Sequence, residues 1–181
     1  MNGLNQYLDF ALGHLPLTLL IVGLAFALLA LIFTRRQVSA RRIVDVLLRS
    51  YLFWTVGVLF LYGAITKGAL GASAITTLHL QYVPASSEAA YAELAFAVVA
   101  FMAFVIGAIG LRFAAVLAPA IYVLAPIAVN EPATIGTVIA HAPIAAIYGL
   151  GLFYVLLQAG AGRPVVIRHR ARDLDDVITT T

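Results

Sequence analysis

The chain has 181 residues, of which 63% are hydrophobic and 10% charged, and its formal net charge is +3 at pH 7. A soluble domain carries about a quarter charged residues, so too few charges are present to cover a globular surface, and the same balance excludes intrinsic disorder. Zero cysteines exclude a disulfide scaffold, thiol redox chemistry and cysteine-held metal.

What remains is a polytopic membrane protein. A helix needs about 20 mostly apolar residues to cross a hydrocarbon core of roughly 30 Å. Lipid gives open backbone no partner, so every span is a helix or a strand of a closed barrel. Barrel strands alternate polar and apolar residues. The blocks here are continuously apolar, which predicts an all-α transmembrane bundle of five spans in one membrane domain.

Residues 1–14 hold no Lys or Arg, so the basic start of a cleavable signal peptide is missing. Leu4, Tyr7, Leu8 and Leu12 share one face of a short interfacial helix. The first span covers 15–33 and ends at Thr34-Arg35-Arg36; an alternative leaves this helix peripheral to a bundle of four. The second covers 43–66, with Arg49 just inside its start and Lys67 at its end. Gly68 to Glu88 is the longest connection and reads either as a lid on the bundle or as a gate over a cavity. Within it, Ala74 to Tyr82 suits a re-entrant or interfacial turn closed by Val83-Pro84. The third span covers 89–110, and Leu111-Arg112-Phe113 makes a very short connection to the fourth, 113–129. Asn130-Glu131-Pro132 turns toward the fifth, 137–158. The tail 163–181 is basic and then acidic; it suits anionic lipid headgroups better than nucleic acid.

With five spans, all ten arginines fall on one side and Lys67 alone falls on the other. Basic residues gather on the cytoplasmic side of membrane proteins. The expected topology therefore has the N-terminus outside and the C-terminus in the cytoplasm, as for a bacterial inner-membrane protein.

Ionisable residues inside spans are costly and are the first candidates for function. Arg49, Phe53, Val56, Phe60, Gly63 and Lys67 alternate four- and three-residue steps, as one stripe of an α-helix would. Asp45 stands four residues before Arg49 and can neutralise it locally. Glu93 lies about one turn into the third span at the depth of Lys67, so a Lys67–Glu93 pair is expected. His141, one turn into the fifth span, shares that layer, and Tyr148 lies seven residues on along the same face. His141 is either a proton carrier or metal ligand, or simply a hydrogen-bonded histidine. His79 and Glu131 could join from the connections, but their spacing matches no zinc motif. Trp54, mid-span, points into the bundle or at a ligand. Ala103, Gly107, Gly149 and Gly151 suit close helix approach. Pro119, Pro126 and Pro143 predict kinks whose freed backbone faces protein or water.

Several short motifs then stand in order. Leu48-Arg49 opens the second span and Leu61-Tyr62-Gly63-Ala64-Ile65-Thr66-Lys67 closes it. Tyr82-Val83-Pro84 precedes Ala90-Tyr91-Ala92-Glu93-Leu94, and Gly107-Ala108-Ile109-Gly110-Leu111-Arg112-Phe113-Ala114-Ala115 forms a hairpin. Residues 48–158 thereby resemble the DoxX-like superfamily of small bacterial membrane proteins. The resemblance implies a four-helix core preceded by one added helix, with Lys67 and Glu93 as a polar pair at its outer end. Some members of that superfamily are associated with quinone-linked sulfur oxidation or with complexes handling oxidative stress.

Three readings stay open. The first is a non-catalytic anchor or accessory subunit of a membrane complex, in contact with lipid and with a partner subunit or further copies of itself. The second is a small-solute transporter or channel with an outer polar site. The third is a quinone-interacting subunit that gathers Trp54, Glu93, His141 and Tyr148 around an apolar pocket; quinone and lipid are the candidate cofactors.

Overall fold

Apolar blocks of this length satisfy their own backbone only by coiling, and coil they do in the computed structural model. It describes residues 13–33, 39–77, 80, 82–83, 85–130 and 134–161. Among them there is no strand. Five helices are long and apolar enough to cross a membrane: α1 (Leu15–Ile32), α2 (Ala40–Thr66), α4 (Ser87–Ile106), α5 (Ile109–Asn130) and α6 (Ile135–Ala161). A six-residue helix, α3 (Ala72–Thr77), lies in the long connection. The interfacial helix expected before residue 13, the basic tail, Arg35, Arg36, His79, Pro84 and Glu131 lie outside the described residues.

Local chemistry sets the ends. Pro16 stands in the first turn of α1, where a missing N–H costs nothing. The side chains of Ser39 and Ser86 accept hydrogen bonds from the backbone N–H of Arg42 and Ala89, capping α2 and α4. Gly107 stops α4 at a left-handed φ of 75°, a conformation glycine reaches without a Cβ penalty. The tight connection is therefore Gly107-Ala108, and Arg112, expected in that connection, lies inside α5.

The second span departs from a regular helix. Tyr51–Val58 is π-helical, between α-helical stretches Ala40–Ser50 and Leu59–Thr66. Leu48, Leu52, Val56, Phe60 and Ala64 are all within 4% of full burial. Those positions recur every fourth residue. In an α-helix of 3.6 residues per turn, sixteen residues at that spacing would drift by about 160° around the axis. The wider π-turns, closed by i→i+5 bonds, turn more slowly and hold the line on the core. This replaces the stripe expected from alternating steps: Phe53 is only half-buried, whereas Leu52 is sealed.

The remaining helices gather around α2. The buried line of α4 is small (Ala90, Ala97, Ala100 and Ala103, with Glu93), so the two backbones come close. α1 buries only Leu19, Gly23 and Ala27. It lies on the outside of α2, where Ser50 Oγ donates to the carbonyl of Gly23 at 2.5 Å. Of the glycines expected to serve packing, Gly151 does: a Cβ there would stand 2.5 Å from the Tyr51 ring, whose hydroxyl donates to the carbonyl of Ile147 at 3.2 Å. Gly149 meets nothing within 4 Å, and Gly107 serves as a helix stop. α5 and α6 run unbroken through their prolines. Pro119 faces the core, while Pro126 and Pro143 are exposed.

Gly151→Val should therefore destabilise the bundle by about 1–3 kcal/mol, the usual cost of overpacking. Gly149→Ala should be neutral or slightly stabilising. Reversible unfolding in mixed micelles measures both.

Candidate functional site

Two polar clusters stand at opposite ends of the bundle. At one end Lys67 directly follows the last residue of α2, and α4 begins nearly two turns before Glu93. Lys67 Nζ donates to Glu93 Oε1, forming the ion pair that equal depth in the sequence suggested. Glu93 is 6% exposed, and its other oxygen, Oε2, is buried without a hydrogen-bond partner among the described residues. Gly63 makes the approach feasible, because a Cβ at that position would run into the Glu93 carboxylate. A cavity of about 200 Å³ opens beside the pair, lined by Phe60, Gly63, Lys67, Glu93, Ile147 and Tyr148 among others. Beneath it, the rings of Phe60, Phe96 and Tyr122 meet edge-on at 5.2–6.3 Å. Chemically this is an apolar pocket holding one neutralised charge pair and two phenols, Tyr62 and Tyr148.

On its solvent side Lys67 also borders a second hollow of about 470 Å³, lined by Gly68, Ala72, Ile75, Thr76 and Tyr82. The long connection folds back to make it: Val83 N–H donates to the carbonyl of Thr66 at 2.9 Å, and Ile75 is buried. The segment therefore sits over the mouth of α2, and Ala72–Thr77 is the helical part of what sequence suggested as a turn.

Not all the candidates gather there. Lys67, Glu93 and Tyr148 line one cavity. His141 is half-buried in α6 and is not among the residues lining it. Trp54 stands thirteen residues before Lys67, about 20 Å along the helix axis at 1.5 Å per residue. It stacks on Phe26 of α1 with ring centroids 5.0 Å apart. The four-residue quinone pocket of Trp54, Glu93, His141 and Tyr148 is thus not assembled.

The opposite end carries a cluster that sequence reasoning missed. Asp45 Oδ2 accepts from Arg49 Nε at 2.9 Å, the i,i+4 pair expected. Its Oδ1 accepts from Arg112 Nη1 at 2.6 Å and from Gln158 Nε2 at 2.8 Å. One carboxylate therefore ties α2, α5 and α6. Arg112 is fully buried, and its Nε also donates to the carbonyl of Ala103 at 3.3 Å, the same oxygen that receives Gly107 N–H. A cation at the C-terminus of α4 complements the helix dipole. The signal lay in Arg112 following a tight Gly107-Ala108 turn: a side chain one turn into the next helix folds back onto the end of the previous one.

Fold and clusters together define a class, a five-span helical membrane bundle with an ion-paired polar cluster at each end. The chain belongs to a family described as a family of unknown function, DUF6790, whose model matches residues 13–131. The match takes in α1 to α5, with Asp45, Lys67, Glu93 and Arg112, and stops short of α6. No curated protein and no solved structure matches the chain.

Two predictions follow from the pairs. Lys67→Met and Glu93→Met should each destabilise more than the double variant does, with a coupling of about 1–3 kcal/mol in a double-mutant cycle. Asp45→Asn should cost about 3 kcal/mol, the low end for stranding a buried partner, because Asp45 keeps 31% of its side-chain surface exposed. Unfolding in micelles reads both.

Proposed function

We propose that this chain is a non-catalytic component of a bacterial inner membrane, an anchor or accessory subunit of a membrane complex. In this reading it does not conduct solutes. The observation that carries it is the separation of the two polar clusters. Between them lies a closed core of Leu52, Val56, Ala97, Ala100 and Val116, each 0% exposed. A conducting protein needs polar groups along the whole path, whereas among the described residues the charged groups stop at the two ends and the buried Thr55 hydroxyl stands between them within the apolar core. Arg41, Arg42, Arg49 and Arg112 stand at one end and Lys67 at the other, which supports a cytoplasmic C-terminus by the positive-inside rule. The DoxX-like pattern of residues 48–158 supports membership of a quinone-linked system. The cavity by Glu93 and Tyr148, largely apolar with a few convergent polar groups, suits a small apolar molecule with a polar head, such as a quinone or a lipid.

A second reading has one observation in its favour. Lys67 borders both the outer hollow and the inner cavity. A carrier that gates substrate through its charge pair would need that arrangement.

Native mass spectrometry of protein drawn from its own membrane, together with flux assays in proteoliposomes, separates the two. The accessory reading expects a defined partner subunit or a retained quinone or lipid, and no solute flux above empty vesicles. Solute flux that Glu93→Gln abolishes would overturn it in favour of the carrier.

A further inference from the structure

At the arginine end, four guanidinium groups face one carboxylate. A hollow of about 480 Å³ is bordered by Arg41, Arg42, Asp45, Arg49, Arg112 and Gln158. Asp45 already accepts three hydrogen bonds, Oδ2 from Arg49 Nε and Oδ1 from both Arg112 Nη1 and Gln158 Nε2, and its single negative charge is shared between two guanidinium groups. Arg112 Nη2, two further donors, is buried without a hydrogen-bond partner among the described residues, although the side chain is 0% exposed.

Gly107 shows where those donors converge. A Cβ built on it would lie 3.3 Å from Arg112 Nη2 and 3.5 Å from Arg49 Nη2. Two guanidinium tips from different helices therefore meet over a bare backbone that itself borders the hollow. Planar N–H forks brought together in this way match phosphate oxygens. Gln158 Oε1, also buried without a partner, is an acceptor that a headgroup hydroxyl would satisfy.

Arg49 borders a second feature. From it an apolar groove of about 450 Å³ runs deeper between α1, α2 and α4, walled by Phe26, Ala30, Phe53, Trp54 and Phe104. The rings interlock: Phe53 lies 5.2 Å from Trp54 and 5.4 Å from Phe104, and Trp54 stacks on Phe26. A rigid aromatic wall beginning at a cationic hollow and running toward the membrane interior is the outline of a headgroup and its chain.

We propose that this end is a binding site for an anionic glycerophospholipid. Arg49 and Arg112 hold its phosphate over Gly107, Arg41 and Arg42 supply further positive potential, and one acyl chain lies in the groove beside Phe26 and Trp54. Among the described residues four cations border the hollow against one anion, and this positive balance disfavours a zwitterionic headgroup, which brings its own ammonium.

The test uses the full chain in detergent, read by native mass spectrometry and by the thermal unfolding midpoint. Phosphatidylglycerol, phosphatidylcholine and inorganic phosphate are added separately. Phosphatidylglycerol should stay bound and raise the midpoint, while phosphatidylcholine and inorganic phosphate should do so weakly. Arg49→Gln should lower phosphatidylglycerol affinity about fivefold, the effect of removing about 1 kcal/mol of cationic attraction. Ala30→Trp, which fills the groove from α1, should weaken it while leaving the arginines in place. Equal binding of the two lipids would overturn the proposal whatever the variants do. Protection by inorganic phosphate matching that by lipid would overturn the acyl-chain assignment, as would unchanged phosphatidylglycerol affinity in both variants.

Discussion

Taking a guanidinium out of water costs several kcal/mol unless a carboxylate and further acceptors receive it, and Arg112 has no exposed surface at all. Asp45 and the carbonyl of Ala103 receive it, and the arrangement of four helices follows from that requirement. Asp45 belongs to α2, Arg112 to α5, Ala103 to α4, and Gln158 of α6 joins the same carboxylate. Their meeting sets the N-terminal ends of α2 and α5 beside the C-terminal ends of α4 and α6 and fixes their relative heights. Lys67 and Glu93 then fall level at the far end, where they neutralise each other. The π-helical stretch of α2 bridges the two clusters and keeps one line of side chains on the core between them.

The same constraint shapes what the molecule can do. Each charge cluster is stable only where its partners converge, and those places are the two ends of the bundle. The middle is filled by aliphatic and aromatic side chains, with the hydroxyl of Thr55 buried among them, and by close helix contacts. Such a body suits the holding of lipids, cofactors or neighbouring subunits. Its two polar ends have different characters: a paired, neutral site beside Glu93, the more enclosed of the two, and an arginine-rich, open site beside Asp45.

Much of the fold was legible in the residues because lipid leaves few choices. Continuous apolar blocks gave five spans, and the depth of Lys67 and Glu93 brought their pair into view. Other features were hidden for physical reasons. A π-helical stretch has no composition of its own, so Phe53 and Leu52 exchange roles without any change of residue type. Arg112 looks like a loop arginine in a one-dimensional reading, since only the left-handed turn at Gly107 sends it back under α4. Trp54 and Tyr148 are both aromatic residues within apolar spans, and nothing in spacing alone says that they stand at different heights and on different faces.

The central claim is that a dry core separates the two polar ends, and the lack of cysteine in the chain makes it directly testable. A single cysteine at Val56, buried between the clusters, can be probed with a small water-soluble thiol reagent in liposomes, beside a control cysteine at Tyr82, which is 53% exposed. The account expects rapid modification at position 82 and none at position 56 until the protein is unfolded. Modification of position 56 in the folded protein at a rate comparable to the control would mean that water reaches the middle of the bundle, and the account would be contradicted.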